Sequence, residues 1–357
     1  MAAPHHYALE TRGKEKMMKT GTVKFKIVFL LMVLILVPSG VWGIAGLRVP
    51  SSRLVDFDYE IRIHDIPQGS RELKVWLPLL AQTPYQEIKN ITIEPQEHTA
   101  IYYDPVYNNK ILSYTVDIAQ RDSLIFNVRY RVKRYEYSNK HGILKTVLAK
   151  DADLNRYLKA NRLVTISPKV KDLADEITIA ETSTMGKARA IYDYIFHNVS
   201  YDKTILGWGN GDTERVCSVK AGNCTDFHSL FVSLARAVDI PAKFVMGVPL
   251  IHNTPEGEIC GYHCWAEFYD EILGWVPVDI SEAWKDKAKY EYYFGTIGPD
   301  RLEVSVGRDI VLDPNIHMEP LNYFIYPYVE IDGKVFEQVR TSFRFKEVNQ
   351  RKEARAT

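Results

Sequence analysis

The chain has 357 residues, 46% hydrophobic and 25% charged, a globular composition that excludes disordered, collagenous and low-complexity classes. Forty-five basic residues balance 45 acidic ones, so there is no electrostatic footprint for nucleic acid, and none is expected as a partner. The length suggests two domains. Four cysteines are too few for a disulfide-built scaffold, and Cys217, Cys224, Cys260 and Cys264 cluster as residues around a site do.

Ile27 to Val37 is an unbroken apolar run behind Lys19, Lys24 and Lys26, followed by Pro38-Ser39-Gly40. This is the order of a secretory signal, for which Met17 or Met18 makes a better start than Met1. Such a run covers about 16 Å of a hydrocarbon core roughly 30 Å thick, which favours a cleaved signal. Uncharged sequence continues to Leu47, so an uncleaved membrane anchor is the alternative. Either way residues 1–46 send the body to the periplasm or another extracytoplasmic location. The remaining body is acidic by about four charges, with no reason to adhere to anionic lipid.

Residues 47–145 read as an antiparallel β-sandwich. Val55, Phe57, Tyr59, Ile61 and Ile63 alternate with polar neighbours, and LKVWLPL, NITIEP, ILSYTVDI and SLIFNVRYRVKRY follow at turn-separated intervals. Near residue 150 the period changes to three and four. DADLNRYLKA, VKDLADEITIA behind Ser167-Pro168, and Thr184 to Asn198 are predicted helices, opening a second domain over residues 146–320. Residues 321–357 read as a hairpin around Asp332-Gly333 and a tail.

Chemistry concentrates in the second domain. In AGNCTDFHSLFVSLARAVDIP, Phe227, Leu230, Phe231, Leu234 and Val238 recur at helical spacing, Asn223 is a good N-cap and Pro241 ends the element. Cys224 therefore sits at a helix N-terminus, where the dipole favours thiolate and backbone N–H groups can meet an oxyanion. Downstream, GYHCWAEFYDEILGWVPVDIS reads as two strands with a turn near Asp270 to Gly274. Period two then places His263, Trp265 and Glu267 on one face and Cys264, Ala266 and Phe268 on the other. A cysteine nucleophile needs an imidazole in reach and a third group to orient it; His263 and Asp279 are candidates. His228, one turn after Cys224, points back along the helix and is expected to pack or hydrogen-bond rather than act as base. The loop with Gly207, Gly209 and Gly211 looks mobile enough to gate a site.

The motifs GNCTDFHSLF, GYHCWAEFY and GWVPVD, in this order, resemble the transglutaminase-like superfamily of papain-fold cysteine enzymes over about residues 167–313. The resemblance implies an α+β fold, a papain-like catalytic core preceded by the β-sandwich, as in exported bacterial members. It also implies a catalytic triad on Cys224, His263 and Asp279, and an upstream aromatic as second oxyanion donor, for which Trp208 is the candidate. Animal transglutaminases carry Trp directly after the nucleophile, where this chain has Thr225. No D-x-D-x-D-G calcium loop is present, so no calcium dependence is expected.

Neither a metal nor another cofactor is expected: the C-x6-C and C-x3-C spacings do not match common zinc sites. A disulfide among Cys217, Cys260 and Cys264 suits an oxidising compartment better. The expected activity is that of a cysteine peptidase, amidase or acyltransferase on a protein, peptide or peptidoglycan-type amide, with hydrolysis favoured over transamidation. The alternative is a catalytically silent cell-surface binding module on the same fold.

Overall fold

The structure, a computed structural model, describes residues 51–118, 121–139, 153–313 and 318–349. The leader, with its signal or anchor reading, lies outside them. No helix among the described residues is long and apolar enough to cross a membrane.

The alternating segments form β1 (Ser52–Ile63), β2 (Glu72–Pro78), β3 (Gln86–Glu94), β4 (Thr99–Tyr103), β5 (Lys110–Asp117), β6 (Leu124–Tyr135) and β7 (Tyr137–Ser138). Val55, Phe57, Tyr59, Ile61 and Ile63 are all buried, as the period of two requires.

Helices then take over. A single 3₁₀ turn at Leu154–Leu158 stands where DADLNRYLKA suggested a full helix. Next come α1 (Pro168–Thr178), capped by Ser167 with Pro168 in its first turn, and α2 (Thr184–Asn198), matching the predicted span. Short elements β8 (Ser200–Tyr201), α3 (Thr213–Val219) and β9 (Ala221–Gly222) lead into α4 (Cys224–Ala237), every residue of which is buried. Then follow β10 (Ala242–Pro249), β11 (Glu256–Ile259), β12 (His263–Asp270), β13 (Gly274–Val278), α5 (Ile280–Lys285), β14 (Thr296–Ile297) and β15 (Arg301–Val306). Last are β16 (Tyr328–Ile331), β17 (Lys334–Val335) and β18 (Val339–Glu347).

Two five-stranded antiparallel sheets, ordered β11-β18-β1-β6-β3 and β17-β16-β2-β5-β4, share one apolar core, with Val55, Phe57 and Ile61 from the first and Leu73, Val75 and Leu77 from the second. A third antiparallel sheet, β13-β12-β10-β15, carries α4 against β12 and β10. The fold is thus mixed α+β. The hairpin around Asp332-Gly333 forms, but its second arm pairs over only two residues. The chain then crosses to the other sheet, where β18 lies between β1 and β11 and aligns Phe343 and Phe345 with Tyr59 and Phe57. Burying two more aromatic rings in the sandwich outweighs extending an exposed ribbon.

Candidate active site

The first turn of α4 is built by a reciprocal cap. Asn223 Oδ1 accepts from the Thr225 N–H at 2.8 Å, and Asp226 Oδ2 accepts from the Asn223 N–H at 2.9 Å. Asp226 also accepts from the Gly209 N–H at 2.7 Å and the Gly211 N–H at 3.1 Å. The glycine loop expected to be mobile is therefore tied to the helix it precedes. The glycine of Gly-x-Cys has a steric reason: a Cβ on Gly222 would lie 2.1 Å from Asp226 Oδ2.

This cap leaves Cys224, only 3% exposed, at the start of the helix. His263 opens β12, and Asp279 follows β13 as N-cap of α5. The His263 Nε2–H donates to Asp279 Oδ2 at 2.7 Å, and Asp279 Oδ1 accepts from the Glu282 N–H at 3.1 Å. The other imidazole nitrogen is left for Cys224, with which His263 interacts directly. The structure thus brings the three predicted residues together.

Their charges reinforce one another. The Cys224 thiol is held well below its ordinary value, first by the neighbouring Cys264 thiol and then, against burial, by His263. Burial works against an imidazolium at His263, yet the Asp279 carboxylate and the thiolate push it up to about 9. Asp279, although buried, is kept below the usual carboxylate range by His263, His228 and Arg301. His228 is different. Its Nε2 accepts from the Ile280 N–H at 3.0 Å, so the lone pair a base would need is occupied, and burial lowers its pKa to about 4.

Two expectations need correction. Cys264 is not segregated from the thiol by strand alternation. Its Sγ lies 3.9 Å from Thr225 Oγ1 and 3.8 Å from His228 Nδ1, and it interacts with Cys224 itself. Period two assigns faces along a strand, whereas α4 meets β12 at its first residues, where both neighbours reach the helix end. The expected disulfide among Cys217, Cys260 and Cys264 is not formed. All four cysteines are free, Cys264 buried and Cys260 exposed.

Residues outside the motifs complete the site. Tyr262 OH is 3.0 Å from Thr225 Oγ1 and accepts from Asn223 Nδ2 at 3.3 Å, while its ring packs on Tyr323 and Tyr326. Tyr323 OH donates to Gly209 O at 3.5 Å, and Arg308 grips Asn210 O and Asn322, so the segment after β15 is fastened over the glycine loop. Trp208 is 40% exposed beside Gly209, with Lys203 Nζ 5.6 Å from its ring centre. Among the described residues no group of three or more His, Cys, Asp or Glu could hold a metal ion.

A model of the transglutaminase-like superfamily matches residues 171–280, which span Cys224, His263 and Asp279. An uncharacterized protein of Haemophilus influenzae is 30% identical over 347 residues, covering 85% of this chain and 94% of its own. The chain belongs to the transglutaminase-like superfamily. YebA of Bacillus subtilis, also uncharacterized, is 26% identical over 136 residues, 34% of this chain and 18% of that protein. A crystal structure described as a candidate cysteine protease from Cytophaga hutchinsonii superposes with a TM-score of 0.54 at 16% identity, covering 84% of this chain and 92% of that one. At that identity the likeness is one of fold, and it covers most of the described chain.

Proposed function

We propose that this transglutaminase-like chain is an exported thiol enzyme that breaks amide or peptide bonds through a thioester. The Cys224 sulfur attacks the carbonyl carbon, and the oxyanion meets the Cys224 backbone N–H at the start of α4 and the Trp208 indole. The imidazolium of His263 protonates the leaving amine as the C–N bond breaks. A water then gives a proton back to His263 and attacks the thioester, releasing the acid and restoring the thiolate–imidazolium pair. Asp279 holds the imidazole in the required tautomer and stabilises its charge. Hydrolysis is our reading of the second half, because an amine acceptor wins only where the closed site excludes water. The substrate is a protein, peptide or peptidoglycan-type amide, and export is read from the leader.

The observation that carries this proposal is the 2.7 Å His263–Asp279 bond beside a thiol on a helix N-terminus. The test is labelling by iodoacetamide or a vinyl sulfone at neutral pH. Cys224 should react selectively, and His263→Ala should suppress the reaction. Equal labelling of all four cysteines, and only after unfolding, would instead favour a binding module without catalysis.

A further inference from the structure

One charged residue behind the site has no part in the proposed chemistry. Arg301 opens β15, its side chain only 12% exposed, and its Nη2 lies 2.9 Å from Glu282 Oε2. Its Nε is 3.9 Å from Asp279 Oδ2 and has no hydrogen-bond partner. Glu282 is also held from the other side, where Lys285 Nζ lies 2.7 Å from Oε1. That same Oε1 is 4.0 Å from His263 Nδ1, the nitrogen left for sulfur once Asp279 has taken Nε2.

Glu282 is therefore a rival acceptor within about one ångström of a hydrogen bond to the imidazolium. A carboxylate there would draw the Nδ1 proton from the thiolate, because a charge-assisted N–H···O bond is stronger than one to sulfur. We infer that Arg301 is a positioning residue, which by tethering Glu282 keeps His263 Nδ1 directed at Cys224. The inference rests on Cys224 and His263 being the reacting pair. Asp279, Glu282, Arg301 and Lys289 line a cavity of about 860 Å³, so the tether is bordered by open space rather than by packed side chains alone.

The groups that set the charge state of His263 come from every element around it. They are Cys224 and His228 on α4, Asp279 and Glu282 at α5, and Arg301 on β15, with Lys285 acting on Glu282 and Cys264 on Cys224. Removing the Arg301 cation and freeing Glu282 both favour the imidazolium, so they act in one direction.

The test is the rate of iodoacetamide labelling of Cys224 in the full-length protein as a function of pH, with the His263 ring ¹⁵N shifts followed in parallel. Arg301→Gln should slow labelling at pH 7 by roughly tenfold and move the inflection of the His263 ring ¹⁵N titration, expected near 9 in the native protein, upward by roughly one unit. Arg301→Lys should retain most of the native rate. Adding Glu282→Gln to Arg301→Gln should restore the rate to that of Glu282→Gln alone. Glu282→Gln by itself, which leaves Arg301 in place should the other variant not fold, should lower the inflection. An unmoved inflection in Glu282→Gln, or no rescue in the double variant, overturns the role given to Arg301. The underlying reading fails separately, if native Cys224 does not label or His263→Ala labels equally well.

Discussion

Within β1 the buried residues are Leu54 and then Val55, Phe57, Tyr59, Ile61 and Ile63 at every second position, almost wholly apolar. Over a similar length at the start of α4 they include Cys224, Thr225, Asp226, His228 and Ser229. The sandwich lowers its free energy by removing hydrocarbon from water, which any apolar face of the right shape achieves. Polar burial at α4 is unfavourable unless each group finds a partner, and here partners are supplied from three other places: the Gly209–Gly211 loop, β12 and the start of α5. The two regions should therefore fail differently. Damage in the sandwich should appear as lost stability with the thiol chemistry intact, and damage among the polar groups as lost chemistry in a folded protein.

The largest effect should come from Asp279→Asn. Asparagine caps a helix as well as aspartate, so α5 should keep its start and the melting temperature should change little. The amide carries no charge to stabilise the imidazolium and can present N–H groups to it, favouring the wrong tautomer, which costs roughly 10⁴-fold in the serine-protease counterpart. Peptide-amide turnover should fall by that order. A variant that melts far lower, with turnover lost only in proportion to the unfolded fraction, would move Asp279 to the stability side of the comparison. Phe57→Ala should show the opposite pattern. Phe57 is 1% exposed and packs on Phe343 and Tyr130. Denaturant unfolding should register a loss of about 3–5 kcal/mol, while Cys224 in the folded protein labels at the native rate. A slowed label under native conditions would show that the sandwich shapes the site as well as supporting the fold.

How much of this was legible depended on the range of the interaction. The alternation in β1, the limits of α2 and the cap at Asn223 are local, and the sequence could be read directly for each. The helix α5 also has a local signature: Asp279-Ile-Ser-Glu282 is an N-cap followed by an acid three residues on, and the aspartate caps as well as orienting His263. Strand order was not legible, because nothing in Val339–Glu347 says that it pairs with Ser52–Ile63 some 290 residues earlier. The same holds for Tyr323, Tyr326 and Arg301. Each reads as an ordinary strand or loop residue until long-range pairing brings it to Tyr262 or Glu282 beside the site, and no periodicity encodes that meeting. Cys264 departs from simple alternation because it lies at a strand end, where the facing helix terminus contacts both sides of the pleat.

The smallest effect, and the one that separates the two roles of the polar cluster, is pH dependence. His263 has its pKa raised to about 9, so the imidazolium is present below that value and is lost above it. Amide turnover needs this proton for the leaving amine and should fall about tenfold, or 1.4 kcal/mol in barrier, for each unit above pH 9. Alkylation by iodoacetamide needs only the thiolate. Cys224 is shifted in the opposite direction, so its sulfur stays charged across the same range and labelling should persist. Divergence of the two curves above pH 9 would assign the proton to His263 and the nucleophile to Cys224 as separate groups. If labelling instead stayed low at neutral pH and rose through pH 9, the titration would belong to the sulfur itself, and the ion pair that distinguishes this region from the sandwich would not exist at neutral pH.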